Sequence, residues 1–241
     1  KPGDVIKTLS GLSVEVINTV AEGRLILADA LTYSERFNPD VVIDMATLTG
    51  AFIVALGAVA TGMMSNNMEL ALEIEKAGQQ SQDRVWSLPL WDDYQQQIDS
   101  NIADISNVGV GGGKSITAAC FLSRFTKKLH WAHLDIAGMA FSKKAASLNT
   151  SGATGFGVRL LNNLGYKIYV YDNSPDTCRI GLDCQNLSHV YYMTAGKKKC
   201  FHGYTPDNRK RMGTRPSTLP KFGSNICTHS WSKGCVSIKS I

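Results

Sequence analysis

Cysteine is scarce in the first two-thirds of this chain, where Cys120 is the only one among residues 1–164. A lone cysteine excludes a disulfide framework for this part and predicts a reduced, intracellular protein. Long apolar runs are also lacking, because the stretch 51–64 is interrupted by Gly57 and Gly62 and is shorter than the roughly 18 residues of a membrane helix. No apolar segment of a secretory signal follows Lys1. We therefore expect neither a membrane span nor a leader.

A net positive charge is missing from the same part of the chain. Residues 1–164 contain 13 lysines and arginines against 16 aspartates and glutamates, whereas residues 165–241 contain 12 against 4. Leu, Ile, Val and Phe make up only 13 of the last 77 residues, which is below the roughly one-fifth at which chains tend to be disordered. We predict one folded part at 1–164 and, at 165–241, a basic, cysteine-rich and poorly ordered tail with a single possible strand at 168–171.

Hydrophobic patterns predict alternating strands and helices in residues 1–164. The β-branched run Val41–Met45 is typical of a strand covered on both faces, and we predict further strands at 14–17, 52–61 and 131–137. Helices are predicted at 25–37, 68–82, 114–125 and 156–164. This alternation favours a three-layer α/β/α sandwich with a mixed, largely parallel sheet.

Residues 18–25 form the most distinctive motif of the chain, Asn-Thr-Val-Ala-Glu-Gly-Arg-Leu. It resembles the Asn-Thr-Asp-Ala-Glu-Gly-Arg-Leu motif of the leucyl aminopeptidases, the cytosol aminopeptidase family with two metal ions. Six more blocks are similar to that family in the same order: RLILADAL, IDMATLTGA, NIADISN, SITAACFLSRF, WAHLDIAG and GATGFG. Residues 1–164 are thus identified as similar to the C-terminal part of a family catalytic domain.

The resemblance implies a metal-dependent aminopeptidase that releases N-terminal residues such as Leu from peptides. It implies two divalent ions, Mn²⁺ or Zn²⁺, with Glu22 as a ligand to both and the backbone carbonyl of Val20 as a ligand to one. Arg24 would act in catalysis by positioning a bicarbonate or a water. The resemblance also implies a cytoplasmic hexamer with peptides as its partners.

Val20 is the departure from the motif, since it stands where the family has Asp. A valine side chain cannot coordinate a hard cation, which prefers oxygen ligands. The family's further ligands, a Lys and two Asp, belong to a block that does not precede Lys1. We therefore expect this chain to be inactive by itself, and the alternative to an enzyme is a non-catalytic remnant or scaffold. The tail has no counterpart in the family, which suggests a frameshift or read-through.

The loops after two predicted strands are candidates for substrate binding, because α/β sheets bind ligands at the carboxyl ends of their strands. The resemblance assigns substrate contacts to Thr47, Leu48, Gly50, Ala137 and Ala140.

Each assigned residue also has a purely structural interpretation. Glu22 could simply flank the helix that starts near Gly23, and Arg24 could pair with Glu22 or Asp29. Ala137 and Ala140 could serve only in loop packing.

Other polar residues are better explained by structure than by catalysis. Asp44 and Asp135 lie in apolar strands, and we expect them to accept backbone N–H groups. Asp104 and Asn107 are expected to shape a loop, and His130 and His133 to have core or surface roles. The glycine-rich loop 109–113 precedes Lys114 and Ser115, but it lacks the glycine at position 108 that a phosphate-binding loop requires.

The tail offers two weaker possibilities. Cys200 and Cys227 each precede a histidine by two positions, but no C-x2-C pair accompanies them, so incidental cysteines are favoured over a zinc site. The positive charge could bind nucleic acid without sequence preference. A solvated basic tail is the more common outcome, and we do not expect nucleic acid as a partner.

Overall fold

A computed structural model describes residues 1–144 and 151–165 of the chain, together with the backbone of three strands at 167–172, 190–194 and 233–239. The described residues contain six α-helices and twelve strands. The helices are α1 Gly23–Ser34, α2 Ala51–Leu56, α3 Met68–Ser81, α4 Asp92–Gln95, α5 Lys114–Ser123 and α6 Val158–Leu164. Short 3-10 turns extend α1 over Glu35–Phe37 and α4 over Gln96–Ile98. None of the described helices is long and apolar enough to cross a membrane.

Seven of the twelve strands form one central sheet, in the order β11-β10-β12-β3-β7-β4-β5. Their bounds are β3 Val41–Ala46, β4 Thr61–Ser65, β5 Val85–Ser87, β7 Trp131–Asp135, β10 Lys167–Asp172, β11 Val190–Thr194 and β12 Lys233–Lys239. A three-stranded sheet joins β1 Val5–Lys7, β2 Ser13–Glu15 and β6 Ile105–Ser106, and a small hairpin joins β8 Phe141–Ser142 to β9 Gly152–Ala153.

Helices cover both faces of the central sheet, which confirms the three-layer α/β/α prediction. Alternate residues of each strand point to opposite faces, so Val42 and Trp131 pack with α1, α2 and α5, whereas Ile43 and Leu134 pack with α3 and α6. The sheet is mixed as predicted. Among the described neighbouring pairs three are parallel, including β3 with β7, and three are antiparallel.

The predicted strand at 52–61 is wrong, because this apolar run contains a helix and the start of the next strand. Helix α2 occupies 51–56 and ends at Gly57, whose φ of 62° suits glycine. Strand β4 then begins at Thr61. A short apolar run with a central glycine fits either element, and the packing of Phe52 between the sheet and α5 decides for helix.

The other predicted elements are confirmed with shifts of a few residues at their ends. In α3 the buried face is Leu70, Ala71, Ile74 and Ala77, at helical spacing, whereas Met68 and Leu72 are exposed. Helix α1 and its 3-10 turn end at Asn38, which has a left-handed conformation just before Pro39. A left-handed residue at the end of a helix and a proline directly after it are common C-terminal signals, so local sequence explains this end.

The tail contributes strands to the sheet. Strand β12 lies antiparallel between β3 and β10, and β10 covers the predicted strand at 168–171. Apart from the three strands, residues 166–241 lie outside the described part of the chain, and so do Cys200 and Cys227. The division near residue 164 and the poor order of the tail stay predictions.

Asp83 ties the two helices of one face together. This buried residue lies between α3 and β5, and its carboxylate accepts the backbone N–H groups of Gly157 (3.0 Å) and Leu160 (3.2 Å) at the start of α6. Arg159 donates to the same carboxylate. Because the first N–H groups of a helix have no partner within the helix, Asp83 caps α6 from another element.

Replacing Asp83 should therefore destabilise the protein. We expect Asp83→Ala to lower the free energy of unfolding by about 3 kcal/mol, because two buried N–H groups lose their acceptor. Urea denaturation followed by circular dichroism measures this change. Asp99→Ala, at an exposed position, is the matched control, and equal stability of the two variants would contradict the capping role.

Gly62 is where α2 comes closest to the sheet. A Cβ atom at this position of β4 would lie 1.8 Å from Cε1 of Phe52, which is only 2% exposed. The buried ring cannot move without displacing its neighbours.

We expect Gly62→Ala to cost about 1–3 kcal/mol of stability. Gly112→Ala, where a Cβ would meet nothing within 4 Å, should change stability far less. Thermal melts of the two variants and the wild-type protein measure the difference.

Candidate functional site

The predicted substrate residues converge at one edge of the central sheet. Strands β3 and β7 are parallel neighbours, with Ala46 opposite Asp135, so the loops after them start at the same level. One loop holds Thr47, Leu48 and Gly50, and the other holds Ala137 and Ala140. The tertiary structure thus brings together two loops that lie about 90 residues apart in sequence.

The carboxylate of Asp135 joins these two loops. Oδ1 accepts the N–H groups of Leu48 (3.1 Å) and Ala137 (3.1 Å), and Oδ2 accepts the N–H group of Thr49 (2.9 Å) and its hydroxyl (2.7 Å). Asp135 is only 1% exposed, and this burial raises its pKa, against the attraction of His133 and the hydrogen bonds from the Thr49 hydroxyl and from the N–H groups of Ala137 and Leu48. The expectation that Asp135 accepts backbone N–H groups is confirmed.

Two close contacts complete the arrangement of the loops. The Thr49 hydroxyl lies 3.0 Å from that of Ser115, in the first turn of α5. A Cβ on Gly138 would lie 2.2 Å from the carbonyl oxygen of Gly57, so only glycine allows the second loop to lie against the end of α2. Ala140 is half-buried, and its carbonyl accepts the N–H group of Thr154. Ala140 also packs against the core of this sheet face, as its structural interpretation required, whereas Ala137 is held through its backbone N–H group.

Arg24 is buried near the same edge, at the start of α1. Its Nη1 donates to the backbone carbonyl of Asn107 (2.7 Å), and its side chain is close enough to Asp135 for an electrostatic attraction. Burial lowers the pKa of Arg24 to about 10, and the attraction of Asp135 opposes this shift. The guanidinium thus stays charged at neutral pH. Asp29, one of its possible partners, accepts instead from the N–H group of Leu9.

Asn107 holds the loop of the opening motif in place. Its Oδ1 accepts the N–H groups of Ile17 (2.9 Å) and Asn18 (3.2 Å), and its Nδ2 donates to the Asn18 carbonyl (2.7 Å). Asn18 Oδ1 in turn accepts the N–H group of Val20 (2.9 Å). The prediction that Asn107 shapes a loop is confirmed, and the same residue also positions Arg24. Asp104 likewise has the predicted loop role, accepting from Ser13.

In the opening motif, Val20 and Glu22 are exposed to solvent, whereas Arg24 is buried. The Val20 side chain is 84% exposed, and Glu22 is exposed at the N-terminal end of α1. Glu22 directly precedes α1, so it flanks the helix as its structural interpretation required, although its side chain makes no capping hydrogen bond. Glu22 and Val20 are therefore reachable from solvent, whereas Arg24 lies beneath them in the protein.

These residues do not by themselves fit a centre with two metal ions. Valine offers no side-chain oxygen at position 20, which leaves Glu22 as the only carboxylate of the motif. Within the described ranges no group of three or more His, Cys, Asp and Glu could hold a metal ion.

A second buried polar cluster lies deeper under the site. Asp44 on β3 faces His133 on β7, and its carboxylate accepts from the indole of Trp131 (2.6 Å) and bonds Nδ1 of His133 (2.5 Å). The expectation that Asp44 accepts backbone N–H groups is wrong, because the strand register places two side-chain donors beside it. His133 is a core histidine, as predicted, and His130 is an exposed one that contacts Asn67.

A separate cavity of about 720 Å³ lies at the amino end of β7, among residues that include Ser65, Lys127 and His130. It contains none of the predicted site residues.

Sequence reasoning missed two members of this site. Thr49 and Ser115 extend the hydrogen bonds of Asp135 to α5, and both belong to blocks that carry the family resemblance. Their spacing of 66 residues gave no signal that they would meet.

Comparison with known proteins identifies the class to which this fold and site belong. The model of the cytosol aminopeptidase family, catalytic domain, matches residues 1–162. Two relatives named as probable cytosol aminopeptidases come from Nitrosococcus oceani (62% identical over 161 residues) and Saccharophagus degradans (58% over 163). They are covered to 31% and 32% of their lengths, and this chain to 67% and 68%. The chain belongs to the cytosol aminopeptidase family.

The matched part spans about a third of the length of these relatives. A probable cytosol aminopeptidase of Buchnera aphidicola is 55% identical over 174 residues, which cover 71% of this chain and 34% of that protein. Even if this alignment begins at Lys1, it extends past residue 164 and into the sequence of β10.

The pair of His133 and Asp44 predicts how stability depends on pH. Burial lowers the pKa of His133, but attraction and hydrogen bonding by Asp44, together with Asp135, exceed this effect and raise it above the ordinary 6.5. The folded protein therefore binds this proton more tightly than the unfolded chain does. Its contribution to stability is complete below 6.5 and is lost as the pH rises through the folded pKa.

We expect the free energy of unfolding to decline above pH 6.5, and this decline to disappear in His133→Gln. His130→Gln, at the exposed histidine, should keep it. Urea denaturation at a series of pH values from 6 to 9 measures the slope. An unchanged slope in His133→Gln would mean that the buried histidine is neutral in the folded protein.

Proposed function

We propose that this chain provides the C-terminal part of the catalytic domain of a metal-dependent aminopeptidase, a hydrolase that releases N-terminal residues such as Leu from peptides. The observation that carries the proposal is the position of Arg24. This residue of the family motif is buried near Asp135, where the loops after β3 and β7 meet. A cation held in that place, away from water, can stabilise charge that develops during hydrolysis.

The proposal assigns three roles to residues of this chain. Arg24 acts in catalysis, Glu22 and the backbone carbonyl of Val20 contribute to metal binding, and two loops bind the substrate. The loop residues are Thr47, Leu48, Gly50, Ala137 and Ala140. The cofactors that the resemblance implies are two divalent ions, Mn²⁺ or Zn²⁺, which would supply Lewis-acid chemistry if further ligands held them.

Val20 favours a second candidate, a family member that keeps the fold without the activity. The motif position that carries Asp in the family has an aliphatic side chain here, 84% exposed. Losing one anionic oxygen ligand weakens a hard-metal site and leaves the charge of its ions less compensated. We therefore propose that the chain does not hold two metal ions by itself and is inactive until other ligands are supplied.

The proposal extends to the setting of the protein. We expect a cytoplasmic homo-oligomer, a hexamer as the family resemblance implies, with peptides as its substrates. Binding of nucleic acid through the basic tail is the less favoured possibility, and it would be lost on deletion of residues 165–241.

An assay of Leu-p-nitroanilide hydrolysis with added Mn²⁺ tests both candidates. We expect no turnover above that of Glu22→Ala for the wild-type chain or for Val20→Asp, because one or two carboxylates cannot hold two ions. Metal analysis of the purified chain should give fewer than two divalent ions per chain. Glu22-dependent turnover by the wild-type chain would overturn the inactive candidate and leave the enzyme.

The enzyme candidate is tested by supplying further ligands from another member of the family. Co-expression with the other two-thirds of the Nitrosococcus relative should produce Mn²⁺-dependent turnover in Val20→Asp, at least tenfold above that of the unaltered chain, as expected for a restored metal ligand. Glu22→Ala in the Val20→Asp background is the control. Absence of activity in every combination would contradict the proposed catalytic role of this chain.

A further inference from the structure

The cavity at the amino end of β7 lies on the opposite edge of the sheet from the two substrate loops. His130 directly precedes β7 and lines the cavity, whereas Asp135 ends β7 and joins the loops. At roughly 3.3 Å per residue of strand, these two residues are about 16 Å apart. The cavity is therefore separate from the proposed substrate site, and what it binds does not depend on the proposed function.

Both amide oxygens of the cavity wall are already engaged within the protein. Asn66 Oδ1 accepts the N–H group of Trp131 (2.8 Å), and its Nδ2 donates to two backbone carbonyls of the segment before β7 (2.9 and 3.1 Å). Gln95 Oε1 accepts from Nε of Arg124 (2.8 Å). The amides thus hold the wall in place, and their oxygens are directed at partners in the protein.

The two hydroxyl groups of the wall are engaged in the same way. Ser65 Oγ donates to the carbonyl of Trp131 (2.6 Å), and Ser123 Oγ donates to that of Cys120 (2.7 Å). A hydroxyl has one hydrogen to donate, so neither has a second for a ligand. None of the described residues that line the cavity is an aspartate or a glutamate. The wall therefore has no negative charge with which to attract a cation.

Two lysines contribute the charge of the cavity. Lys127 is exposed, and its ammonium group has no ion-pair or hydrogen-bond partner among the residues that the structure describes. The ammonium group of Lys128 lies 3.2 Å from Glu35. This lysine is 79% exposed, and such surface pairs contribute little to stability. An ammonium group has three hydrogens, so Lys128 can bind a further anion.

The dipole of α5 does not explain the position of these lysines. Cations stabilise a helix within its last turn, but α5 ends at Ser123, four residues before Lys127. Their charge is therefore better explained by a ligand than by the helix.

Asn67 decides which nitrogen of His130 carries the proton. Its Oδ1 accepts the N–H group of Leu70 as the cap of α3 (3.0 Å), so its Nδ2 is the atom that lies 2.7 Å from Nδ1 of His130. An amide nitrogen only donates, so Nδ1 is the acceptor and the proton of the neutral ring is on Nε2. His130 thus adds an N–H donor to the two ammonium groups.

We propose that this cavity binds a small organic phosphate, a phosphate monoester with a partly apolar body. Such a group carries about two negative charges and three acceptor oxygens, which suit two ammonium groups and one ring N–H group. The cavity volume of about 720 Å³ is far larger than a phosphate group and lies within the roughly 300–1,000 Å³ of small-molecule sites. Leu90 and Leu129 line it as well and provide apolar surface for the body of the ligand.

Titration of the isotope-labelled full chain with phenyl phosphate tests the proposal. We expect the backbone amide resonances of residues 65–66 and 127–130, which line the cavity, to shift on binding. Phenol has the apolar body without the charge, and inorganic phosphate has the charge without the body. Each should bind about tenfold more weakly than phenyl phosphate, since each lacks one of the two kinds of contact.

Lys127→Gln tests the charge at an exposed position, where the fold is not at risk. We expect it to weaken phenyl phosphate binding about tenfold, as follows from the loss of a hydrogen bond between charged groups. Lys127→Arg keeps the positive charge and should keep most of the affinity. Lys76→Gln, an exposed lysine of α3 outside the cavity, is the matched control and should bind as the wild-type protein does.

Three results would overturn the proposal. One is unchanged affinity for phenyl phosphate in Lys127→Gln, and another is a set of shifts confined to residues outside the cavity. The third is an affinity for phenol or for inorganic phosphate equal to that for phenyl phosphate, because the ligand would then not be an organic anion.

Discussion

The parallel register of β3 and β7 is the constraint on which the rest of the site depends. It pairs Asp44 with His133 and Ala46 with Asp135, and it brings the ends of both strands to the same edge of the sheet. A slip of one residue would turn the buried polar side chains to the opposite face, among the apolar residues of α3 and α6. The apolar neighbours of these residues, such as Ile43 and Leu134, therefore help to fix the site.

Asp44 and Asp135 are buried on the same face of the sheet, but they have different structural roles. Burying a charge is costly unless it is paired and hydrogen-bonded. Asp44 meets this condition through the side chains of Trp131 and His133, and it joins two strands within the core. Asp135 meets it mainly through backbone N–H groups, and it joins two loops at the surface. Neither is a proposed metal ligand, so the anchor of the two loops does not depend on position 20, where Val20 offers no carboxylate.

The fold could be predicted well where one pattern pointed to one element. The β-branched run at 41–45 and the helical spacing of α3 are examples, because burial on two faces and burial of one helical stripe leave different sequence periods. The run at 52–61 was predicted wrongly. Its apolar residues fit either element. The packing of Phe52 against Gly62 of the sheet and the positive φ of Gly57, which ends α2, decide the outcome.

The sequence by itself determined the family, since the motif around Glu22 and Arg24 and the blocks at 43–51 and 131–138 each carry their own signal. It also determined that position 20 offers no side-chain ligand, because ligand chemistry depends on residue type alone. Only the tertiary structure decided which groups meet. The contacts of Asp135 with Leu48, of Thr49 with Ser115 and of Arg24 with Asn107 join segments 66 to 87 residues apart. Such contacts arise from strand register and helix packing, which no local pattern encodes.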